Sequence, residues 1–187
     1  MARWEPDAAG RLREAAMALY AERGYDNTTV AEIADRAGVT ARTFFRHFSD
    51  KREVLFAGSE ELERVMVEAL TAAPESATPM EAVAAAVLAS GEFFDDLRRD
   101  YSRRRQAVIT ATPELREREL IKLASLTTAF TAALRSRGVS PDVAALAAET
   151  GVAVFRVAFE RWITEPEGVS LADVIRSTLT TLSGLTA

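Results

Sequence analysis

Between Thr29 and Phe48 the chain reads TVAEIADRAGVTARTFFRHF, and few folds tolerate that order of small, apolar and turn-forming residues. Thr29 with Glu32 has the spacing of a capping box, in which each residue satisfies a free amide of the other at a helix start. Thr40 is placed to cap a second helix. Ala34 is small where two helices would cross closely. Gly38 supplies positive φ in the turn at no steric cost. Val39 and Phe44, with Val30 and Ile33, are the plug between the two helices. The spacing therefore predicts a helix-turn-helix whose second helix is about seven residues long, short enough for a duplex major groove about 12 Å wide. Thr40, Ala41, Arg42, Thr43 and Arg46 are left facing outward on it.

The rest of the chain has helical periodicity and no run of alternating β-branched residues. Leu12, Ala15, Ala16, Leu19 and Tyr20 make one stripe, which Gly24 ends, and Tyr25 folds back on the last turn. Asp50 with Glu53 is read as a second capping box, opening a helix to about Thr71 with Leu55, Leu62, Met66 and Ala69 on one face. After TAAPESATP come four or five further helices. Thr78–Pro79 starts one, with a break near Phe94–Arg98. Thr112–Pro113 starts the next, with Leu120, Leu123, Leu126, Phe130 and Leu134 inward and Gly138 as its stop. Ser140–Pro141 opens a helix to about Thr164. Ser170 with Asp173 caps the last, whose stripe is Leu171, Val174, Ile175, Thr178, Leu179 and Leu182. The expected fold is all-α with about nine helices: a three-helix head carrying the helix-turn-helix and a larger helical body. The expected division is residues 1–56 and residues 57–187.

Charge distribution narrows the function. The net charge is −5, which argues against indiscriminate binding of nucleic acid. Yet residues 1–56 hold nine Lys/Arg and nine Asp/Glu, so the whole excess of acid lies further on. Arg36, Arg42, Arg46, Lys51 and Arg52 against Asp50 alone give residues 36–52 a local charge of about +4, a basic patch on an acidic chain. With no cysteine there is neither disulfide nor thiolate metal site, which fits a reducing cytoplasm. His47 is the sole histidine, so multi-histidine metal centres and a Ser–His triad with a spare base are excluded. There is no P-loop, GxGxxG or HExxH, so neither an enzyme nor a bound cofactor is expected. The opening MARWEPDAAG lacks the apolar core of a signal peptide, and no apolar run nears the roughly 20 residues that cross a bilayer.

GYDNTTVAEIADRAGVTARTFFRHFSDKREVLF resembles the DNA-binding head of the TetR family of transcriptional regulators, over about residues 8–56. The shared positions are Gly24, Thr28–Thr29, Ile33–Ala34, Ala37–Gly38–Val39, Phe45, His47–Phe48, Lys51 and Leu55. That resemblance implies an all-helical homodimer acting as a ligand-responsive repressor on a pseudo-palindromic double-stranded operator. Thr29, Thr40, Arg42, Thr43, Phe45, Arg46, His47 and Lys51 would meet the DNA, with Ala41 beside them on the recognition helix. Phe45 stands where the family usually has a phosphate-binding tyrosine, so van der Waals contact with a sugar or a thymine methyl is expected there instead. RRRQAVITATPELRERELIKLASL and AVFRVAFERWI resemble the C-terminal halves of actinobacterial regulators related to the mycofactocin-system regulator. That group is associated with long-chain acyl-CoA, which suggests the effector class.

In the body, Phe94, Tyr101, Arg104, Phe130 and Phe155 are the candidate effector-binding residues. Arg103, Arg104 and Arg105 read either as a solvated face paired to Asp95, Asp96 and Asp100 or as an anchor for an anionic effector. The Ala/Gly face of the Pro141 helix allows close helix approach, so the expected dimer surface is Ala144, Ala147, Ala148, Gly151, Phe155 and Trp162, joined by Ile175 and Leu179 of the last helix. The competing reading is a carrier or sensor of acyl chains or acyl-CoA without operator binding, which would have no use for the Arg42–Lys51 patch.

Overall fold

Threonine and serine hydroxyls mark the starts of four of the nine described helices. In the computed structural model, which describes residues 7–94 and 96–185 with the side chains of 96 and 97 left aside, the Thr29 and Thr78 capping boxes both close. Thr40 Oγ1 accepts from the Thr43 amide at 3.1 Å, and Ser170 Oγ accepts from the Asp173 amide at 3.1 Å. The described residues form nine α-helices and no strand: α1 (Ala8–Arg23), α2 (Val30–Arg36), α3 (Ala41–His47), α4 (Ser59–Thr71), α5 (Pro79–Phe93), α6 (Asp96–Ala111), α7 (Pro113–Ser136), α8 (Pro141–Trp162) and α9 (Leu171–Leu185). A 3-10 turn, Glu53–Phe56, precedes α4. The described helices include none long and apolar enough to cross a membrane.

Packing divides these residues into two units. The first takes the described residues up to Ala57 together with Arg104–Glu119, and the second takes Gly58–Arg103 and the chain from Leu120 onward. In the first unit Leu12, Ala16, Ile33, Phe44 and Val54 are wholly buried, as the helical stripe and the helix-turn-helix spacing require. The second unit has one apolar core, centred on Met66, Leu70, Val83, Val87, Phe130, Leu134, Trp162 and Ile175.

Three expectations need correcting. The helix expected from Asp50 to Thr71 is interrupted, because Gly58 takes φ 88° and stops the 3-10 turn from running into α4. Asp50 still caps its turn, accepting the amides of Arg52 (2.8 Å) and Glu53 (3.2 Å). The Arg52 guanidinium first, and these amides after it, hold the Asp50 carboxyl below its ordinary 3.8. The cap's contribution is therefore complete above that value and is lost as the pH falls below it through the lowered one. Second, Leu120 faces solvent at 64% exposure, and Leu115, wholly buried, takes the inward place at the start of α7.

Third, the small-residue face of α8 is used up inside one chain. Ala144, Ala147, Ala148, Gly151, Phe155 and Trp162 are all buried there, as is Ile175, while Leu179 is partly buried against the same core. A Cβ at Gly151 would stand 2.2 Å from Val83 Cγ1, so the glycine is what lets α5 lie against α8. The buried ones among them are therefore engaged within one chain, and Leu179 keeps part of its surface exposed. What α8 leaves exposed is a different apolar stripe, Val143, Leu146 and Val157, at 48%, 71% and 40% exposure.

Candidate nucleic-acid interface

The outward side of α3 is held in place from behind. Phe44 has no exposed surface; its ring meets Phe48 (centroids 5.6 Å apart) and stands edge-on to Phe45 (5.4 Å, 81°). Gly38 turns the chain at φ 68° with no atom where a Cβ would be, and its amide donates to Asp35 O at 3.0 Å. Thr40, Ala41, Arg42, Phe45, Arg46 and His47 consequently lie exposed on one short helix and its cap, with Thr43 half-buried.

The charges around this helix are sorted. Arg36 is clamped on Glu22 by two bonds of 2.6 Å, Arg23 pairs with Glu32 at 2.9 Å, and Arg52 pairs with Asp50 at 2.7 Å. Arg42 and Arg46 have no carboxylate partner among the described residues; Arg46 Nη2 lies 3.4 Å from His47 Nε2. Of the five cations read from the sequence, Arg36 and Arg52 are thus neutralised, while Arg42 and Arg46, one helical turn apart with His47 beside them, are not.

Other expected contacts carry prior commitments. The Thr29 hydroxyl already donates to Glu32 Oε2 (2.8 Å), so Thr29 is first a cap. The Thr40 and Thr43 hydroxyls lie 3.1 Å apart, so one of their two protons remains for an outside acceptor. Lys51 is the largest departure. Its ammonium donates to the carbonyls of Tyr25 (2.9 Å) and Thr28 (3.0 Å), lies 4.1 Å from the Tyr25 ring centroid, and its own carbonyl accepts from Tyr20 Oη at 2.7 Å. One of its three donors has no hydrogen-bond partner among the described residues. Lys51→Ala is expected to lower stability by about 2 kcal/mol, the loss of two charge-assisted bonds, read as a shift in the urea midpoint.

Residues 104–119 add polar contacts to this unit. Arg118 Nε meets Glu53 Oε1 at 2.5 Å, Arg105 Nε donates to Leu55 O at 2.6 Å, and Tyr25 Oη donates to Glu114 at 3.4 Å. Burial first, then the Glu114 carboxylate, pushes the Tyr25 phenol far above its ordinary 10.0, so it stays protonated. Of the Arg103–Arg105 triple, two side chains also donate to backbone carbonyls. Arg105 serves this unit, Arg103 is exposed and donates to Ile163 O (2.8 Å) in the other, and Arg104 is exposed. Asp95 and the Asp96 side chain lie outside the described residues.

Of the effector candidates, the structure gathers Phe94 and Phe155. Phe94 sits at the break between α5 and α6 among Phe93, Phe155, Phe159 and Trp162, with ring centroids at 5.2, 6.5, 5.1 and 6.0 Å. Phe130 is wholly buried core, Tyr101 is half-buried on α6, and Arg104 belongs to the first unit. Sequence reasoning missed Arg99. This residue is 3% exposed, with its guanidinium 4.9 Å from the Trp162 ring, and it donates to the carbonyls of Glu165 (3.0 Å), Pro166 (2.5 Å) and Val169. The available signal was its spacing four residues before Arg103, which serves the same α8–α9 connection. Among the described residues no cluster of His, Asp or Glu is arranged to hold a metal.

Known proteins bear on both segments. The model for bacterial regulatory proteins of the tetR family matches residues 12–57, and that for the MftR C-terminal domain matches residues 77–186. MftR of Mycobacterium tuberculosis, named for mycofactocin biosynthesis, is 27% identical over 88% of this chain and 83% of its own. The transcriptional regulator TcmR of Streptomyces glaucescens is 37% identical over 40% of this chain, a stretch that is 33% of TcmR's length. A solved transcriptional regulator from Pseudomonas aeruginosa PAO1 superposes with a TM-score of 0.65 at 20% identity, covering 98% of this chain and 92% of that one, a likeness of fold.

Proposed function

The chain belongs to the tetR family of bacterial regulatory proteins, and from that premise we propose that it is a homodimeric, ligand-responsive transcriptional repressor. Residues 1–56 are its DNA-binding head and residues 57–187 its effector-binding and dimerisation domain. The two heads of a dimer read the half-sites of a pseudo-palindrome, about one helical turn apart or somewhat more. A dimer seated in successive major grooves blocks other proteins from that stretch, and repression follows from occupancy.

One observation carries the reading. The guanidiniums neighbouring α3 are matched to carboxylates, yet Arg42 and Arg46 on its outward face have none among the described residues. Two unneutralised guanidiniums on a helix narrow enough for a major groove suit phosphate oxygens and the O6/N7 edge of guanine. Arg42 is nearer the helix start and is assigned the base edge; Arg46, His47, and the free donors of Thr40, Thr43 and Lys51 are assigned phosphates. Arg42→Ala is expected to weaken binding to the preferred duplex by about 1–3 kcal/mol while changing affinity for unrelated duplexes much less. Fluorescence anisotropy with both duplexes measures this; equal losses on both would move Arg42 to the backbone, and no loss would remove it from the interface.

The dimer surface is assigned to the exposed stripe of α8, Val143, Leu146 and Val157, with the outer side of α9. Leu146 is 71% exposed, so Leu146→Glu leaves the protomer fold unchanged and places two like charges where copies meet. It is expected to yield monomers by light scattering at micromolar concentration; a persistent dimer would relocate the contact. Removing the chain from Pro141 onward is a poorer test, since α8 is also part of the protomer core.

The effector is assigned to the second unit, near the Phe94–Phe155–Phe159–Trp162 aromatics. The match to the MftR C-terminal domain favours a long acyl chain carried on coenzyme A. Its binding shifts the population toward a form with lower DNA affinity, which requires that it prefer that form. α6 and α7 each contribute residues to both units and are the continuous elements along which the two sites are coupled.

A further inference from the structure

Phe45 is the one aromatic side chain among the large apolar residues that stand exposed, at 58%, within the described chain. A single exposed leucine needs no explanation, but an exposed phenylalanine beside unneutralised cations does. Its ring stands edge-on to the buried Phe44 ring, with most of its surface turned outward. Ala41, one turn earlier on the same side of α3, is exposed and small. The outward surface of α3 thus carries two parallel strips, Arg42–Arg46 and Ala41–Phe45.

Resting on the DNA-binding reading above, we propose that Phe45, with Ala41 leaving room beside it, is a specificity-determining residue that reads the C5-methyl of thymine in each half-site. In the major groove thymine alone presents a methyl, and alanine and phenylalanine are apolar partners suited to it. Cations on the adjoining strip favour a polyanion over an apolar protein surface as the occupant. Phenylalanine at this position has no hydroxyl to offer a phosphate, so its ring contributes by excluding water from a methyl. Discrimination therefore comes from the removal of apolar surface, about four-fold in affinity for one methyl.

The test uses the full chain and a duplex enriched from a random-sequence pool. Each thymine is replaced in turn by deoxyuridine, which removes the methyl alone. At one or two positions per half-site the wild type is expected to bind about four-fold more weakly, and Phe45→Ala is expected to bind thymine and uracil alike at one of them. Thermal unfolding of Phe45→Ala should match the wild type, since the ring is exposed. Equal binding of thymine and uracil duplexes by the wild type at every position overturns the assignment and leaves the regulator reading standing. So does a Phe45→Ala variant that still discriminates everywhere, or one whose oligomeric state changes without DNA, which would make the strip a protein contact. Failure to enrich any duplex would overturn both readings together.

Discussion

Phe44→Ala is expected to cost about 3–5 kcal/mol and to leave α2 and α3 without a fixed crossing. The ring is fully buried and contacts both Phe45 and Phe48, so truncation removes a large apolar surface and leaves a cavity that two seven-residue helices cannot close by shifting. Against a total stability of about 5–15 kcal/mol for a domain, that loss unfolds the head under conditions where the wild type holds. Hydrogen exchange should show faster exchange at α2 and α3 amides and near-unchanged exchange at α8. Affinity for every duplex should collapse. The neighbouring Phe45→Ala serves as the contrast, with stability within about 0.5 kcal/mol of wild type because its ring is on the surface. Similar losses in the two variants would contradict the inward–outward assignment on which the interface depends.

Trp162→Ala is the second large effect, again about 3–5 kcal/mol. The indole is wholly buried, donates from Nε1 to Val169 O at 3.1 Å, lies against Phe94 and Phe159, and has the Arg99 guanidinium 4.9 Å from its ring. Truncation opens a cavity in the second unit and takes from Arg99 the ring beneath it. Arg99→Met should also destabilise, because carbonyls of Glu165, Pro166 and Val169 lose their shared donor. The two residues touch, so the double variant should fall short of the sum of the singles by about 0.5–2 kcal/mol. Strict additivity in a denaturation series would mean that the guanidinium acts on the α8–α9 connection independently of the indole.

Local chemistry made several helix starts readable, since a threonine or serine hydroxyl accepts an amide three residues on, within its own turn. Thr29, Thr40, Thr78 and Ser170 all fall where that chemistry requires. The plug of Phe44 and the turn at Gly38 were readable for the same reason. Legibility stopped where a residue's partner is distant in sequence. Lys51 looked like a free cation and is tied to carbonyls 26 and 23 residues away. Arg36 counted toward a basic patch, and Glu22, fourteen residues earlier, neutralises it. Ala144, Ala147 and Gly151 announced close helix approach correctly but not the approaching helix, which is α5 of the same chain. The second apolar stripe of α8, Val143, Leu146 and Val157, was overlooked in the sequence and is the one assigned to the proposed dimer surface.

The central claim is that α3 of each of two chains occupies a major groove through Arg42 and Arg46. Its most direct test is equilibrium binding of the full chain to an enriched duplex across a salt series, with stoichiometry read by analytical ultracentrifugation. Two chains per duplex are expected, with an affinity falling log-linearly with salt, about 0.9 units of slope for each phosphate neutralised, and at least ten-fold preference over a scrambled duplex of equal length. Salt-independent binding, or equal affinity for the scrambled duplex, would contradict it and favour the acyl-chain carrier.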